Sequence, residues 1–386
     1  MDVKPGAHVQ CRWKDGKYYM AEVLQERTDP VRQFYVHYTD FNKRLDCWVD
    51  EDQVDLSAVQ QPDEGNGMLT RRNKRRREET QQGDQREDLT NPQLAQFEKE
   101  HEENTKIRNI DRVVLGHYEI QTWYYSPYLT KFNHIPTLYI CQFCLKYMRF
   151  GKTYREHIHK CMVRRPPGKL VYRDQVSYGK VKSISVWEVQ GSEHKLYCQN
   201  MCLLAKLFLD HKTLYYLVAP FKFYVLTEEI GKASHVVGYF SKEIGNCEYN
   251  LACILVLPPH QQKGFGRLLI ALSYELSKRE KRIGTPERPL SDMGRVSYRS
   301  YWTDTILELL RRRSNLNFKD ITDETGIAKH DVMETLTSLG LAKYWKGQYL
   351  MNPVDHKMIE EHFRKKEQRK KKQTIKPVKF KPLKLK

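Results

Sequence analysis

Apolar and polar positions along this chain fall into three regimes. Between Val9 and Leu56 they alternate in short runs, Val9 to Trp13, Tyr18 to Leu24, Gln33 to Tyr38 and Asp46 to Val49, with turn signals at Lys14-Asp15-Gly16 and Thr28-Asp29-Pro30. Period-two runs at this spacing predict a small, strongly bent antiparallel sheet or barrel. From Ser57 to about Asn104 large apolar residues become scarce and Gln, Glu, Asp, Asn, Gly and Arg take over, which predicts a flexible linker. Beyond it the most structured stretch is an unbroken apolar run, Leu251 to Leu257, closed by Pro258 and Pro259. The run is too short to span a membrane and reads as a core strand. Leu268, Leu269, Leu272 and Leu276 then recur at helical spacing, with Gly284 as the expected stop. Thr305 to Met351 reads helix, helix, turn, helix, hairpin, the order of a winged helix-turn-helix.

Charge changes the picture once it is located. The net charge is +18 over 386 residues. Arg71 to Arg77 carries six positive charges and no acid, and Arg364 to Lys386 carries a net eleven, so the rest of the chain is close to neutral. Basicity concentrated in appendages suggests tethering to a polyanion or nuclear import, against the alternative of tails that only aid solubility. The 71–77 cluster has the composition of a nuclear localisation signal. No apolar segment follows Met1, so neither a signal peptide nor a membrane span is expected.

Nine cysteines, an odd number spread unevenly, suit metal or catalytic thiols better than a disulfide framework. Cys141-x2-Cys144-x12-His157-x3-Cys161 has the spacing of a zinc site, a knuckle followed by a helix that presents two ligands one turn apart. His159 is a rival ligand at a poorer offset. Four protein ligands close the coordination sphere, which makes the zinc structural. Cys198-x3-Cys202 lies in an apolar helical setting with no further ligand near it and reads as core.

Between the apolar strand and its helix lies Gln261-x-x-Gly264-x-Gly266. Glycines there let backbone N–H groups approach a ligand, and the start of the helix favours an anion such as a pyrophosphate. The spacing fits neither the dinucleotide fingerprint nor the Walker loop. It resembles the acetyl-CoA loop of N-acetyltransferases. Together with Tyr249-Asn-Leu-Ala-Cys-Ile-Leu, Gly264-Phe-Gly-Arg-Leu-Leu-Ile, Ser273-Tyr-Glu-Leu-Ser-Lys and Gly284-Thr-Pro-Glu-Arg-Pro-Leu-Ser-Asp, it resembles the catalytic core of the MYST histone acetyltransferases, from about Thr105 to Pro353. The run Phe34-Tyr-Val-His-Tyr-Thr-Asp-Phe-Asn-Lys-Arg-Leu-Asp-Cys-Trp-Val resembles the chromo barrel (Tudor-knot) that precedes this core in one subgroup.

The resemblance implies an α+β fold: an N-acetyltransferase-like core with an embedded C2HC zinc finger and a winged-helix-like C-terminal lobe, preceded by a small β-barrel. The expected organisation is barrel 1–56, linker 57–104, acetyltransferase domain 105–360 (finger 139–163, acetyl-CoA core 212–302, lobe 303–352) and basic tail 361–386. It implies transfer of acetyl from acetyl-CoA to lysines of histone tails, that of H4 foremost, within a nuclear, chromatin-regulating complex with roles in transcription and DNA repair. Cys141, Cys144, His157 and Cys161 match the family's zinc ligands. Ile254, Leu255 and Val256 would offer backbone groups to the pantetheine arm, and Gln261, Gln262, Lys263, Gly264, Phe265, Gly266 and Arg267 would cradle the pyrophosphate. Ser291 and Ser300 match CoA-contacting positions, although Ser291 alone reads as a helix N-cap. Lys212 matches the lysine the family acetylates on itself. Gln262 stands where the family has a basic residue, a loss that Lys263 or Arg267 would offset.

Only about one lysine in a few thousand is neutral at pH 7, so attack on a thioester needs a general base. Glu287, between Pro286 and Pro289, matches the family's base, and partial burial is expected to raise its pKa. Cys253 either carries the acetyl group in a ping-pong route or lines the pocket while the amine attacks directly; direct attack is favoured. In the barrel, Tyr18, Tyr38, Phe41 and Trp48 are candidates for an aromatic cage around a quaternary ammonium and equally for plain core. Aromatics beside Lys43 and Arg44 would also suit stacking on RNA. The third helix of the lobe carries Asp331 and Glu334, which argues against DNA reading there, while the tail remains able to hold DNA. A catalytically weak chromatin or nucleic-acid adaptor is the alternative reading; a small-molecule acetyltransferase would leave barrel, finger and tail unexplained.

Overall fold

The computed structural model describes residues 3–28, 31–61, 105, 107–132, 135–210, 212, 215–245, 248–313, 315–346 and 348–372. The Arg71 to Arg77 cluster, most of the expected linker and the tail beyond 372 lie outside these residues. The chain divides into two compact units, one holding 1–113, 121–137 and 206–208, the other 114–120, 138–205 and 209–386.

In the first unit, β1 (His8–Arg12), β2 (Tyr18–Arg27), β3 (Gln33–Tyr38), β4 (Cys47–Asp50) and β5 (Val54–Gln60) form one antiparallel sheet in the order β4-β3-β2-β1-β5. Its core is Val9, Cys11, Ala21, Val23, Phe34, Val36, Tyr38 and Val49, the inward-facing members of the alternation read from the sequence. The fifth strand runs on to Gln60, so Ser57 to Gln60 are strand and not linker; they gain a ladder by returning to β1, with His8 opposite Gln60. The same unit contains most of β6 (Ile110–Leu115), which is followed by β7 (Tyr118–Gln121).

β8 (Ile135–Ile140), whose residues from Leu138 on belong to the second unit, pairs through Tyr139 and Ile140 with the short β9 (Tyr147–Met148), and α1 (Gly151–Lys160) follows. Then come β10 (Lys169–Tyr178), β11 (Val181–Gln190), α2 (Lys195–Lys206), β12 (Phe221–Ile230), β13 (Ala233–Glu243) and β14 (Cys253–Val256). The five strands β10 to β14 form an antiparallel sheet in sequence order, which leaves β14 at an edge. Its inner face packs on α3 (Phe265–Arg279) and α4 (Asp292–Arg312) through Leu268, Leu269, Leu272, Tyr298, Trp302 and Ile306, all buried. Each such side chain contributes about 1.5–3 kcal/mol by leaving water.

β14 lies tight against β13 because Gly238 stands opposite Val256. A Cβ on Gly238 would come 2.3 Å from the Leu255 carbonyl oxygen. α3 ends at Arg279, where Lys281 turns left-handed (φ 56°), several residues before Gly284. The expected stop at Gly284 is therefore displaced. That glycine serves close packing instead, since a Cβ there would lie 2.5 Å from the Asn250 amide nitrogen.

α5 (Phe318–Thr325), α6 (Lys329–Ser338), the hairpin β15 (Ala342–Trp345) and β16 (Gln348–Met351), and α7 (His356–Lys372) complete the unit. Asn317 and Asp320 form a reciprocal capping box that starts α5. This is the helix-turn-helix and wing order expected for the lobe. No described helix is long and apolar enough to cross a membrane.

Candidate active site and metal centre

The four zinc-spaced residues converge. The ligand atoms of Cys141, Cys144, His157 and Cys161 all lie within 4.8 Å of one another. Cys141 Sγ is 3.9 Å from Cys161 Sγ, and Cys144 Sγ is 3.3 Å from His157 Nε2. Tetrahedral zinc with ordinary Zn–S and Zn–N bonds sets its ligand atoms about 3.4–3.8 Å apart, so the donors fit the ion. The knuckle is closed by Leu145 N–H donating to the Cys141 carbonyl, with Leu145 left-handed at φ 61°. Cys161 N–H closes the last turn of α1 on the His157 carbonyl. The Cys144 thiol is pushed down because it accepts from the Cys141 thiol, and the His157 ring adds to this. His159 takes no part in the cluster.

At the sheet edge, β14 pairs with β13 from Cys253 to Val256. On its other side the pairing is confined to the strand's approach, where Asn250 N–H donates to the Thr285 carbonyl and Glu287 N–H to the Leu251 carbonyl at 2.8 Å. Among the described residues no strand covers the outer edge of Ile254, Leu255 and Val256. An unpaired strand edge of this kind offers backbone donors and acceptors to an extended ligand.

The glycine turn stands where that edge ends. Gln261 Nε2 donates to the Val256 carbonyl at 2.9 Å, tying the turn to the strand. Gln262 is left-handed at φ 62°, and Gly264, at φ 89°, is the N-cap of α3 with no side chain to occupy the first N–H groups. A Cβ built on Gly266 would meet only Val256 Cγ2, at 4.0 Å, so the backbone there is approachable. Open N–H groups at the start of a 15-residue helix favour an anion. Phe265 is buried in the core. Lys263 lies near enough to Glu228 to help hold its carboxyl down, and Arg267 pairs with Asp304 at 2.7 Å and lies over the Tyr301 ring. Asp304, itself buried, also receives His362 at 2.9 Å and Lys366 from α7.

Polar groups gather at the other end of β14. The Cys253 thiol is 3.4 Å from the Tyr239 hydroxyl. Lys212 lies among Cys253, Cys202 and Glu287; burial pushes its pKa down, but these neighbours outweigh burial and leave it raised. Burial pushes the Cys202 thiol up to about 11 and Cys198 to about 12, so both are protonated core thiols. Glu287 is exposed, contrary to the partial burial expected of it, while Pro286 before it is buried and its own N–H is bonded to the Leu251 carbonyl.

Arg288 reaches Asp331 at 2.8 Å, and Asp331 also accepts from the Thr285 hydroxyl at 2.8 Å. Asp331 is fully buried. In the sequence it reads as an acid that argues against DNA recognition, yet its place beside Val332 and one turn before Thr335, both on the inward face of α6, signals burial. Ser291 caps α4 by accepting from Gly294 N–H at 3.1 Å, and Ser300 is exposed on the same helix with its carbonyl facing Arg267.

The barrel aromatics separate. Tyr38 and Phe41 come together with ring centroids 5.3 Å apart, joined by Trp13 and Tyr19. Tyr18 points away and is exposed, since neighbours on a strand face opposite sides. Trp48 packs on Tyr35 and under the Arg27 guanidinium. The four-ring cage is not assembled, and Tyr38 is core, 1% exposed with its hydroxyl 3.2 Å from Cys11 Sγ.

An antiparallel sheet whose uncovered edge strand runs into a glycine turn and a helix defines an acyltransferase of the N-acetyltransferase type. Comparison with known proteins narrows this. The MOZ/SAS family matches residues 165–380, the MYST family zinc finger domain 107–161, and the Tudor-knot, described as an RNA binding activity-knot of a chromodomain, 3–56. A putative MYST-like histone acetyltransferase 1 of Oryza sativa subsp. japonica is 45% identical over 379 residues, covering 94% of this chain and 82% of the relative. Histone acetyltransferase of the MYST family 1 of Arabidopsis thaliana is 44% identical over 94% of this chain and 82% of its own length. Histone acetyltransferase MOF of Drosophila melanogaster is 42% identical over 92% of this chain and 49% of its own. The chain belongs to the MOZ/SAS (MYST) family, and it is a lysine acetyltransferase that takes acetyl-CoA as its acyl donor and carries a Cys3His zinc site.

Proposed function

We propose that this enzyme acetylates lysines of histone tails, H4 foremost, by direct attack of the lysine amine on acetyl-CoA held along β14. The uncovered edge of Ile254 to Val256, running from Cys253 and Glu287 to the open N-terminus of α3, is the observation that carries this reading. Amides of that edge would bind the pantetheine arm, and Gln261 to Gly266 the pyrophosphate. Lys263 is the basic side chain left to assist, since Arg267 is engaged by Asp304.

The exposed Glu287 would accept the proton of the incoming ammonium. The freed amine forms the C–N bond, the C–S bond breaks, and the departing thiolate of CoA takes up a proton. Exposure of Glu287 suits a base that meets its substrate from solvent and is desolvated only as the tail docks. Cys253 then lines the acetyl pocket beside the Tyr239 hydroxyl. Lys212, an ammonium beside both, is the candidate for self-acetylation.

The Tudor-knot would bring the enzyme to chromatin through RNA or a modified tail, in the nucleus and within a larger complex. Basic residues of α7, from Arg364 to Lys372, extend this to salt-sensitive contact with DNA. The test is transfer from labelled acetyl-CoA to core histones by wild type and Glu287→Gln. Transfer that collapses in the variant while acetyl-CoA binding is retained supports the reading; equal rates would overturn Glu287 as the base, and an absence of transfer to any histone would overturn the substrate.

A further inference from the structure

Two buried ionisable groups lie under the glycine turn and have no part in the reaction described above. His260, 3% exposed, closes the short turn Pro258–His260, so the residue after it begins the loop. Its Nδ1 lies 3.4 Å from Oε1 of Glu228, which is 4% exposed on the central strand β12. That contact is not aligned as a hydrogen bond, and the Nδ1 atom has no hydrogen-bond partner among the described residues. The same carboxylate oxygen accepts from the Tyr178 hydroxyl at 2.7 Å. Tyr118 stands edge-on to the imidazole at 5.2 Å, and Phe265, the first residue of α3, lies 6.5 Å away.

A buried carboxylate is an odd neighbour for an anion site. Burial alone would favour its neutral form, yet His260, Tyr178 and Lys263 outweigh burial and hold Glu228 below the usual carboxylate range. Glu228 is therefore a fixed negative charge beneath a loop whose open N–H groups face a ligand carrying several more. His260 contacts that carboxylate and immediately precedes the loop in the chain.

We infer that His260 is a positioning residue for acetyl-CoA: through Glu228 it fixes where the phosphate loop begins, and it screens that carboxylate from the pyrophosphate. The inference rests on the placement of the pyrophosphate at Gln261 to Gly266 proposed above. It predicts a defect confined to phosphate-bearing substrates. Removing the imidazole leaves Glu228 with Tyr178 and Lys263 alone and less well screened from phosphate, whereas removing the carboxylate as well relieves the repulsion.

The experiment compares acetyl-CoA with S-acetylpantetheine, the same thioester without phosphates, for wild type, His260→Gln and the double variant Glu228→Gln/His260→Gln. Expected for His260→Gln is a rise of about tenfold in KM for acetyl-CoA, kcat within about twofold of wild type, and kcat/KM for S-acetylpantetheine unchanged. The double variant should recover most of the lost KM. Equal losses on both thioesters would mark a merely structural role and overturn the inference, as would an unchanged KM or a double variant no better than the single one. A wild type with the same KM for both thioesters would overturn the phosphate placement itself, a result distinct from any of these.

Discussion

The metal centre and the transfer site occupy the same compact unit and are built on opposite plans. The finger draws all four ligands from Cys141 to Cys161, and its donor atoms enclose a point with no position left for substrate. The transfer site draws Lys212, Tyr239, Cys253 and Glu287 from separate loops and strands, and it is open along the edge of β14. A closed site needs only local spacing and a metal to hold it. An open site depends on groups that never touch the substrate: Asp331 pins the Glu287 loop through Thr285 and Arg288, and Asp304 holds the start of α3 through Arg267.

This contrast makes graded predictions. The largest effect belongs to the finger. Structural zinc supplies about 10–16 kcal/mol of folding free energy in small sites, so Cys141→Ser should lose the bound zinc equivalent and the ordered finger together. Metal analysis with near-UV circular dichroism reads both; a folded, metal-free variant would contradict the closed plan. Next comes Glu287→Gln, expected to lower kcat by about 10²–10⁴ while leaving the finger's metal intact.

Asp331→Asn tests the pins of the open site. Arg288 is about half exposed, so the lost pairing is worth about 1–3 kcal/mol after solvent screening. Steady-state kinetics should show kcat lowered by about tenfold with the KM for acetyl-CoA little changed, because the fault lies at the base and not at the phosphate loop. Cys253→Ala should cost only a few-fold in kcat if attack is direct, about one kcal/mol of barrier. Complete loss of transfer with acetyl-CoA still bound would establish the ping-pong route.

The smallest effect is a pH dependence. Burial would raise the pKa of Asp304, but Lys366, His362 and Arg267 outweigh it and hold the folded pKa below its unfolded value. The stability it contributes is therefore present above the ordinary carboxylate value of about 3.9 and is lost as pH falls through the depressed folded pKa. Asp304→Asn should lower the urea midpoint at pH 7, with the gap to wild type closing below about pH 4. A gap independent of pH would mean that packing, not charge, is at stake.

What could be read from the chain divides along the same line. Zinc spacing, the glycine turn and the helix-turn-helix order are local patterns, and each corresponds to elements found at those positions. The pairing of distant side chains is not encoded in spacing. Tyr18 and Tyr19 are equally aromatic in the sequence, yet only the register of β2 against β1 decides that Tyr19 joins Phe41 and Tyr18 meets water. Arg267 reads as a phosphate ligand until α4 brings Asp304 beside it. Glu287 reads as half-buried between two prolines, but it is exposed, with its own N–H bonded to the Leu251 carbonyl. Glu228 gives no sign in the sequence, and Asp331 reads there only as an acid on a helix, because the importance of both lies in what the fold places against them.

Gly238 shows how far such dependence reaches. It carries no side-chain chemistry and is one bare position on β13, backing the strand proposed to hold the cofactor. β14 lies flush against its neighbour there, and β14 sets the span from the thiol of Cys253 to the glycine turn. A methyl group at 238 would press on the Leu255 carbonyl and swing that span like a misaligned ruler, shifting thioester and pyrophosphate by different amounts. During evolutionary drift this silent position should be guarded as closely as the reacting residues, and a screen scored for catalysis would find it among them.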